Sequence, residues 1–291
     1  LLGSVKIRRW PLAKLLEGRP VAEKIKQAVK LSVQSLDRAP VLASVVVGAN
    51  PGALAYVRSQ EKIAQDLGIV YQLHQLAENT TEDQLVDFVI KLNNDRLING
   101  IVVQMPLPQQ IDYKNVSEFI SPKKDIEGMH PSNIGKVLFG RARIAACTAT
   151  AVMELLNSTG IDLYGKEVVV VGHSEIVGKP LSLLLLEKFA TVTVCHIATS
   201  KVGRLEQHVR RAEVLIVAVG QIGLIKGEWV KPGAIVIDVG INRLGDKIVG
   251  DVEFESAAKN ASFITPVPGG VGPLTVAILM RNLIEATKLQ Y

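Results

Sequence analysis

Short apolar runs rich in β-branched residues alternate with helix-patterned stretches along most of this chain, and that alternation constrains its fold more than any other feature. In the first half the runs are Val41 to Val47, Ile69 to Leu76 and Gly100 to Met105. Between them, Gly18 to Leu36, Ala53 to Leu67 and the stretch from Thr81 to Leu92 read as helices. Val21, Ile25, Ala28 and Val29 recur at helical spacing with lysines between them. Ala49-Asn-Pro-Gly52 is a turn, Gly68 a natural helix stop, and Thr81-Glu-Asp-Gln84 carries capping-box chemistry. Strands that alternate with helices in this way pair in parallel, with helices on both faces of the sheet.

The second half repeats the pattern. Thr148 to Leu156 is a helix leading into it, and four consecutive valines, Val168 to Val171, make a strand buried on both faces. Ala190 to Cys195, Glu213 to Val219 and Ala234 to Val239 are further strands, with helices at Leu181–Lys188 and Leu205–Arg211. Gly172, Gly220 and Gly240 each follow a strand, but the spacing is not that of the Gly-x-Gly-x-x-Gly dinucleotide fingerprint. From Asp112 to Ala145 the periodicity weakens around the polar loop Pro122 to Pro131, and long irregular segments in compact domains are often functional.

The stretch Thr265-Pro-Val-Pro-Gly-Gly-Val-Gly-Pro-Leu-Thr275 holds three prolines and three glycines. Prolines fix φ and withhold donors, while glycines let a ligand approach the backbone. It reads as neither helix nor strand, between a short strand at Ala261 to Ile264 and a helix from Leu274 to Leu289. Two readings stay open from composition alone: a rigid loop that borders a ligand, or an ordinary tight connection.

Composition narrows the function classes. The chain of 291 residues is 48% hydrophobic and 21% charged, as expected of a globular protein of about two domains, with aliphatic rather than aromatic core residues. The net charge of +5 is dispersed. The tightest clusters are Arg8-Arg9, Lys123-Lys124 and Arg210-Arg211, and only Trp10 adjoins one, so nucleic-acid binding is not expected. Cys147 and Cys195 have no metal-ligand or disulfide spacing, so they read as small buried residues in a reducing, cytoplasmic setting, with no metal site. No apolar run reaches membrane-spanning length, and Leu1 to Pro11 makes no signal peptide. A trimmed targeting segment would leave an organellar location open.

Several motifs converge on one family. Thr265 to Thr275, Val171-Gly-His-Ser-Glu-Ile-Val-Gly-Lys-Pro180, Val103-Gln-Met-Pro-Leu-Pro108, Lys231-Pro-Gly-Ala-Ile-Val-Ile-Asp-Val-Gly-Ile-Asn242 and Val249-Gly-Asp-Val252 together resemble the bifunctional methylenetetrahydrofolate dehydrogenase / methenyltetrahydrofolate cyclohydrolase family. The resemblance runs from about Leu16 to the C-terminus. It implies an α/β protein of two α/β domains with a cleft between them, the second a Rossmann-like doubly wound parallel sheet. The expected divisions are a folate-binding catalytic domain at 1–147, a dinucleotide-binding domain at 148–274, and a C-terminal helix at 275–291 returning to the first. It further implies oxidation of 5,10-methylenetetrahydrofolate by hydride transfer to NADP or NAD, hydrolysis of the methenyl product to 10-formyltetrahydrofolate, and a homodimer formed through the cofactor domain.

Site residues carry over by position. The resemblance makes Tyr56, Gln60, Gln104 and Glu127 the catalytic positions. Tyr56, Val103, Gln104, Met105, Pro106, Asp125, Glu127, Pro268, Gly269, Gly272 and Pro273 would contact the folate. Thr148, Gly172, His173, Ser174, Ile176, Val177, Ile197, Ala218, Val219, Gly220, Gly240, Ile241 and Thr275 would contact the dinucleotide. His196 reads as packing or cofactor-adjacent, His130 as capping or surface, and Asp238 and Asn242 as groups satisfying the backbone nearby.

Four departures from the family pattern are informative. The family's Tyr-x-x-x-Lys reads Tyr56-Val-Arg-Ser-Gln60, and an amide cannot act as an acid or base near neutral pH. Arg58 and Lys62 lie about 200° and 240° round the helix from Tyr56, so neither replaces the lysine. Lys-Asp-Val-Asp-Gly reads Lys124-Asp-Ile-Glu-Gly128, and the extra methylene of Glu127 displaces its carboxylate by roughly 1.3–1.5 Å. Pro-Cys-Thr-Pro-x-Gly reads Ala146-Cys-Thr-Ala-Thr-Ala151, a looser or more helical segment. His173 stands where NADP-using relatives often have Arg, and Ile197 where some have Ser, which weakens the case for a 2′-phosphate. The chemistry then reads as a dehydrogenase with a weak hydrolase. The alternative is a non-catalytic homologue that binds folate or dinucleotide.

Overall fold

The structure, a computed structural model, describes residues 12–290. Arg8-Arg9, Trp10 and the stretch read as no signal peptide lie outside the described residues. In chain order the elements are β1 (Lys14–Leu15), α1 (Gly18–Gln34), β2 (Val41–Val47), α2 (Pro51–Leu67), β3 (Val70–Leu76), α3 (Glu82–Asn94), β4 (Gly100–Val103), α4 (Tyr113–Phe119), α5 (Pro131–Leu138) and α6 (Cys147–Ser158). They continue with β5 (Glu167–Val171), α7 (Gly178–Leu186), β6 (Thr191–Cys195), α8 (Ile197–Lys201), α9 (Leu205–Arg211), β7 (Val214–Val217) and β8 (Ile235–Asp238). The last are β9 (Asn242–Leu244), β10 (Lys247–Val249), α10 (Phe254–Ala257), β11 (Phe263–Ile264) and α11 (Gly272–Lys288).

The chain divides into two compact units. One holds residues 20–151 and, from 273 onward, the rest of α11. Its sheet is three parallel strands in the order β3-β2-β4. The central strand β2 is buried along almost its whole length, which is why it is apolar throughout except for Ser44. Asn50 caps α2 by accepting the amides of Gly52 and Ala53, Gly68 ends it in the left-handed conformation, and the Thr81–Gln84 capping box opens α3.

The other unit holds 152–272 together with the described residues up to Arg19. Six parallel strands run in the order β1-β11-β8-β7-β5-β6. Chain order reverses between β5 and β7, which makes their carboxyl ends a topological switch point. Gly178 opens α7 against the strand end; a Cβ there would lie 2.1 Å from the carbonyl oxygen of Gly172.

Some expectations shift. Residues 12–19 do not stay with 1–147: Lys14 and Leu15 pair in parallel with Phe263 and Ile264, adding an edge strand to the second unit's sheet. The weakly periodic region 112–145 contains α4 and α5, capped by the side chains of Asp112 and His130. Helix α11 begins at Gly272, so the end of the proline–glycine stretch is helical, because Pro273 falls at a first-turn position where its missing N–H costs nothing. The segment from Cys147 is helical too, as loss of its prolines allows. Met105 lies beyond the end of β4. Helix α8 and the β9–β10 hairpin have no counterpart in the sequence reading.

Helix α11 is buried along most of its length, and its one buried amide is an anchor. Asn282 donates its side-chain N–H2 to the carbonyls of Ile126 (2.8 Å) and Ala145 (3.0 Å). An Asn282→Leu variant leaves both carbonyls unsatisfied and should lose about 2–4 kcal/mol of stability, read from urea unfolding.

Candidate active site

In the first unit, Tyr56 and Gln60 lie one turn apart on α2 but meet different surroundings. Gln60 belongs to the buried stripe of Ala53, Val57, Ala64 and Leu67, and is 1% exposed. Tyr56 is 42% exposed. Gln60 closes a ring of neutral groups with Gln104, which follows β4. Its Oε1 accepts from Gln104 Nε2 (2.8 Å) and from the Tyr71 hydroxyl (3.0 Å), and its Nε2 reaches Gln104 Oε1 at 3.4 Å. Gln104 Nε2 also donates to Ser44 Oγ at 2.9 Å. Burial pushes the Tyr71 hydroxyl up to about 12, so it stays a donor. The buried amides are satisfied, and none of the four groups exchanges a proton near neutral pH.

Tyr56 senses the Gln60 amide and also the Glu127 carboxyl and the Cys147 thiol. The Glu127 carboxylate accepts the Tyr113 hydroxyl at 2.9 Å. Burial, aided by Asp125 and opposed by the Tyr113 bond, pushes Glu127 up to about 7. Burial and then Glu127 drive the Tyr113 hydroxyl upward. Burial, then Glu127 and Asp125, raise the Cys147 thiol well above its usual value, and Cys147 Sγ donates to the Ile126 carbonyl. A thiol held in this way is a packing group rather than a nucleophile. Burial also raises Tyr56, whose hydroxyl lies 3.4 Å from Thr275 Oγ1. One titratable group in this cluster therefore changes charge near neutrality, and it is Glu127.

The side chains of two expected folate contacts and of one expected dinucleotide contact meet protein partners. Asp125 is 2% exposed, and its carboxylate accepts the amides of Gly128 (3.0 Å) and His130 (2.8 Å) and the Asn133 side chain (2.9 Å). It shapes the loop that carries Glu127. Val103 is fully buried among the apolar residues packed around α3. Thr275, expected at the dinucleotide, places its hydroxyl at Tyr56. Met105 is about half exposed and Pro106 is exposed, as a ligand contact requires. Pro273 lies in the first turn of α11, while Pro268, Gly269 and Gly272 belong to the last stretch of the other unit. His130 caps α5 through Nδ1.

In the second unit a cavity of about 300 Å³ opens at the switch point between β5 and β7. Gly172, His173, Ser174, Ile197, Ala218 and Val219, all among the positions that the resemblance gives to the dinucleotide, line it. His196, Ser200 and Gln221 line it as well, and the rings of His173 and His196 lie 5.2 Å apart. No Lys, Arg, Asp or Glu is among the described lining residues. Gly172 has φ +124, and a Cβ there would lie 2.3 Å from the Ala218 carbonyl oxygen; only glycine leaves the mouth open to a ligand's backbone approach. The cavity thus fits part of a dinucleotide. Ile176, Val177 and Gly220 flank it without lining it, Thr148 is in the other unit, Ile241 is exposed, and Gly240 packs on a buried carboxylate.

Comparison with known proteins accounts for both units. The profile of the tetrahydrofolate dehydrogenase/cyclohydrolase catalytic domain matches residues 16–127, and that of the family's NAD(P)-binding domain matches 146–291. The bifunctional protein FolD of Acetivibrio thermocellus is 49% identical over 282 residues, covering 96% of this chain and 98% of its own. The solved structure of the bifunctional FolD methylenetetrahydrofolate dehydrogenase/cyclohydrolase from Campylobacter jejuni superposes with a TM-score of 0.92 at 42% identity, over 96% of this chain and all of that one. The Trypanosoma brucei FolD, solved with NADP and an inhibitor, gives 0.91 at 39% identity, over 96% and 99%.

The raised Glu127 carboxyl fixes the sign of a stability effect. A carboxyl whose folded value lies above its unfolded one favours folding fully at low pH and loses that contribution as pH rises through the folded value. Replacing it with an uncharged isostere should therefore stabilise the protein above about pH 7, by about 1–3 kcal/mol, and the gain should shrink as pH falls toward 4.5. Urea unfolding of Glu127→Gln beside the wild type across that range checks it.

Proposed function

The chain belongs to the tetrahydrofolate dehydrogenase/cyclohydrolase family, and from that premise we propose that it oxidises 5,10-methylenetetrahydrofolate with NAD(P) and hydrolyses the methenyl product slowly. The observation that carries this reading is the sealed amide ring at Gln60. Hydride transfer asks the protein for positioning, and Tyr56, Met105 and Pro106 remain exposed for that work. The dinucleotide, when bound, supplies the hydride acceptor. Hydrolysis asks for more, because water must lose a proton as it adds to the methenyl carbon, and general acid–base help at such a step is typically worth about 10²–10⁴-fold. Gln60 cannot give that help. Glu127 is the remaining group able to take the proton, so the residual hydrolysis should rise with pH through about 7.

Cofactor choice rests on the second unit. With two imidazoles and no guanidinium lining its cavity, NADP has no bidentate partner for its 2′-phosphate there, and the proposed preference for NADP is weak. A homodimer through this unit is supported by β6, a sheet-edge strand beside exposed Leu186 and Phe189. The unpaired thiols of Cys147 and Cys195 fit a cytoplasmic setting, and among the described residues no helix is long and apolar enough to cross a membrane.

Full spectra recorded while the chain turns over 5,10-methylenetetrahydrofolate with NAD and with NADP should show reduced dinucleotide and accumulating methenyl product. Reduced dinucleotide without that accumulation would overturn the slow-hydrolase reading, and no reduction with either dinucleotide would overturn the enzyme reading. A Gln60→Lys variant should raise hydrolysis of supplied methenyltetrahydrofolate at least about tenfold, toward the acid–base range. Sedimentation should give a dimer that Val194→Lys dissociates, since charge on an edge strand opposes pairing.

A further inference from the structure

Asp251 follows the β9–β10 hairpin and is completely buried. One carboxylate oxygen accepts the backbone amides of Val219 (2.8 Å) and Gly220 (3.0 Å). The other accepts the amide of Gln221 (2.8 Å) and the side chain of Asn242 (2.8 Å). Three consecutive amide protons in an irregular loop thus converge on a single side chain. Asp238, at the end of β8, holds Asp251 in turn. Its carboxylate accepts the amides of Gly240 (2.9 Å), Asp251 (3.1 Å) and Val252 (2.8 Å). Two glycines make room for the acids. A Cβ on Gly240 would lie 2.3 Å from the Asp251 carboxylate, and one on Gly250 would lie 2.0 Å from that of Asp238.

In a trans peptide the C=O and N–H point in opposite directions. The carbonyls that share peptide planes with the three captured amides are those of Ala218, Val219 and Gly220, and they point away from Asp251. The Ala218 oxygen faces Gly172, across the mouth of the cavity. We infer that Asp251 is a positioning residue for the dinucleotide: by taking up the amide protons of Val219 to Gln221 it holds this loop so that the Ala218 carbonyl stands as an acceptor at the mouth of the cavity. An acceptor there suits a ligand hydroxyl or carboxamide N–H2 group, and it repels phosphate. The inference rests on the reading that this unit binds NAD(P).

An Asp251→Asn variant keeps the shape but sets an N–H2 against the loop amides. Calorimetric titration of the full-length variant should show its Kd for NAD and NADP weakened at least about tenfold, or 1.4 kcal/mol. Folate affinity, and kcat at saturating dinucleotide, should stay within about twofold of the wild type, because buried hydrogen bonds lost here touch the cofactor's wall and not the chemistry. Unchanged dinucleotide affinity would overturn the inference, as would an equal loss of folate and dinucleotide binding. Should the variant not fold, hydrogen exchange in the wild type decides: the amides of Val219, Gly220 and Gln221 should exchange as slowly as those of β7, and fast exchange overturns the inference. A wild type that binds neither dinucleotide is a separate result, and it would overturn the reading of the pocket itself.

Discussion

A parallel sheet with helices on both faces ends its hydrogen-bond ladder at its carboxyl edge, so the peptide groups of the loops there need partners of their own. Each unit meets that requirement with a buried acid. Asp125 gathers the amides of Gly128 and His130, and Asp251 gathers those of Val219 to Gln221. Close approach of other backbone follows from the same economy of space: Gly128 has φ +73, and a Cβ there would lie 2.3 Å from the Ala145 carbonyl carbon. The sites depend on these acids because Glu127 and the cavity wall stand on the loops they hold.

The first unit separates two kinds of work. Groups that present a surface to a ligand, such as Tyr56 and Met105, remain accessible, while the position that family members fill with lysine has been absorbed into the core. The ring of Gln60, Gln104, Tyr71 and Ser44 is a structural solution, in which buried polar atoms satisfy one another with no net charge to desolvate. The carboxyl lies outside this ring, at Glu127, where it meets the Tyr113 hydroxyl.

Much of this was legible in the sequence where a single local cause dominates. The run Val41 to Val47 became a strand with those bounds because burial on both faces demands an unbroken apolar run, and the Thr81 capping box formed because its donors and acceptors are local. The region 112–145 was harder, since α4 and α5 span only a turn or two each and owe their starts to Asp112 and His130 rather than to periodicity. Among the site residues, the resemblance named Gln60 and Gln104 together, and the fold brings their side chains into contact, but it could not say which way Asp125, Val103 and Thr275 point. Side-chain direction there is set by partners distant in sequence, such as Tyr56 for Thr275. A usable signal for the ring did exist: Ser44 is the lone polar residue in an otherwise apolar buried strand, and such a group needs a partner.

The amide ring also bears on ancestry. Glutamine and lysine codons differ by a single base, so the gene could restore the family residue in one step. The core could not follow as readily. An ammonium donates three hydrogen bonds and accepts none, so at a position 1% exposed it would have to turn the Gln104 amide around and take the oxygens of Tyr71 and Ser44 from their present bonds. A substitution that is symmetrical in the genetic code is thus no like-for-like exchange in the fold: an ammonium at position 60 comes with a rearranged ring around it.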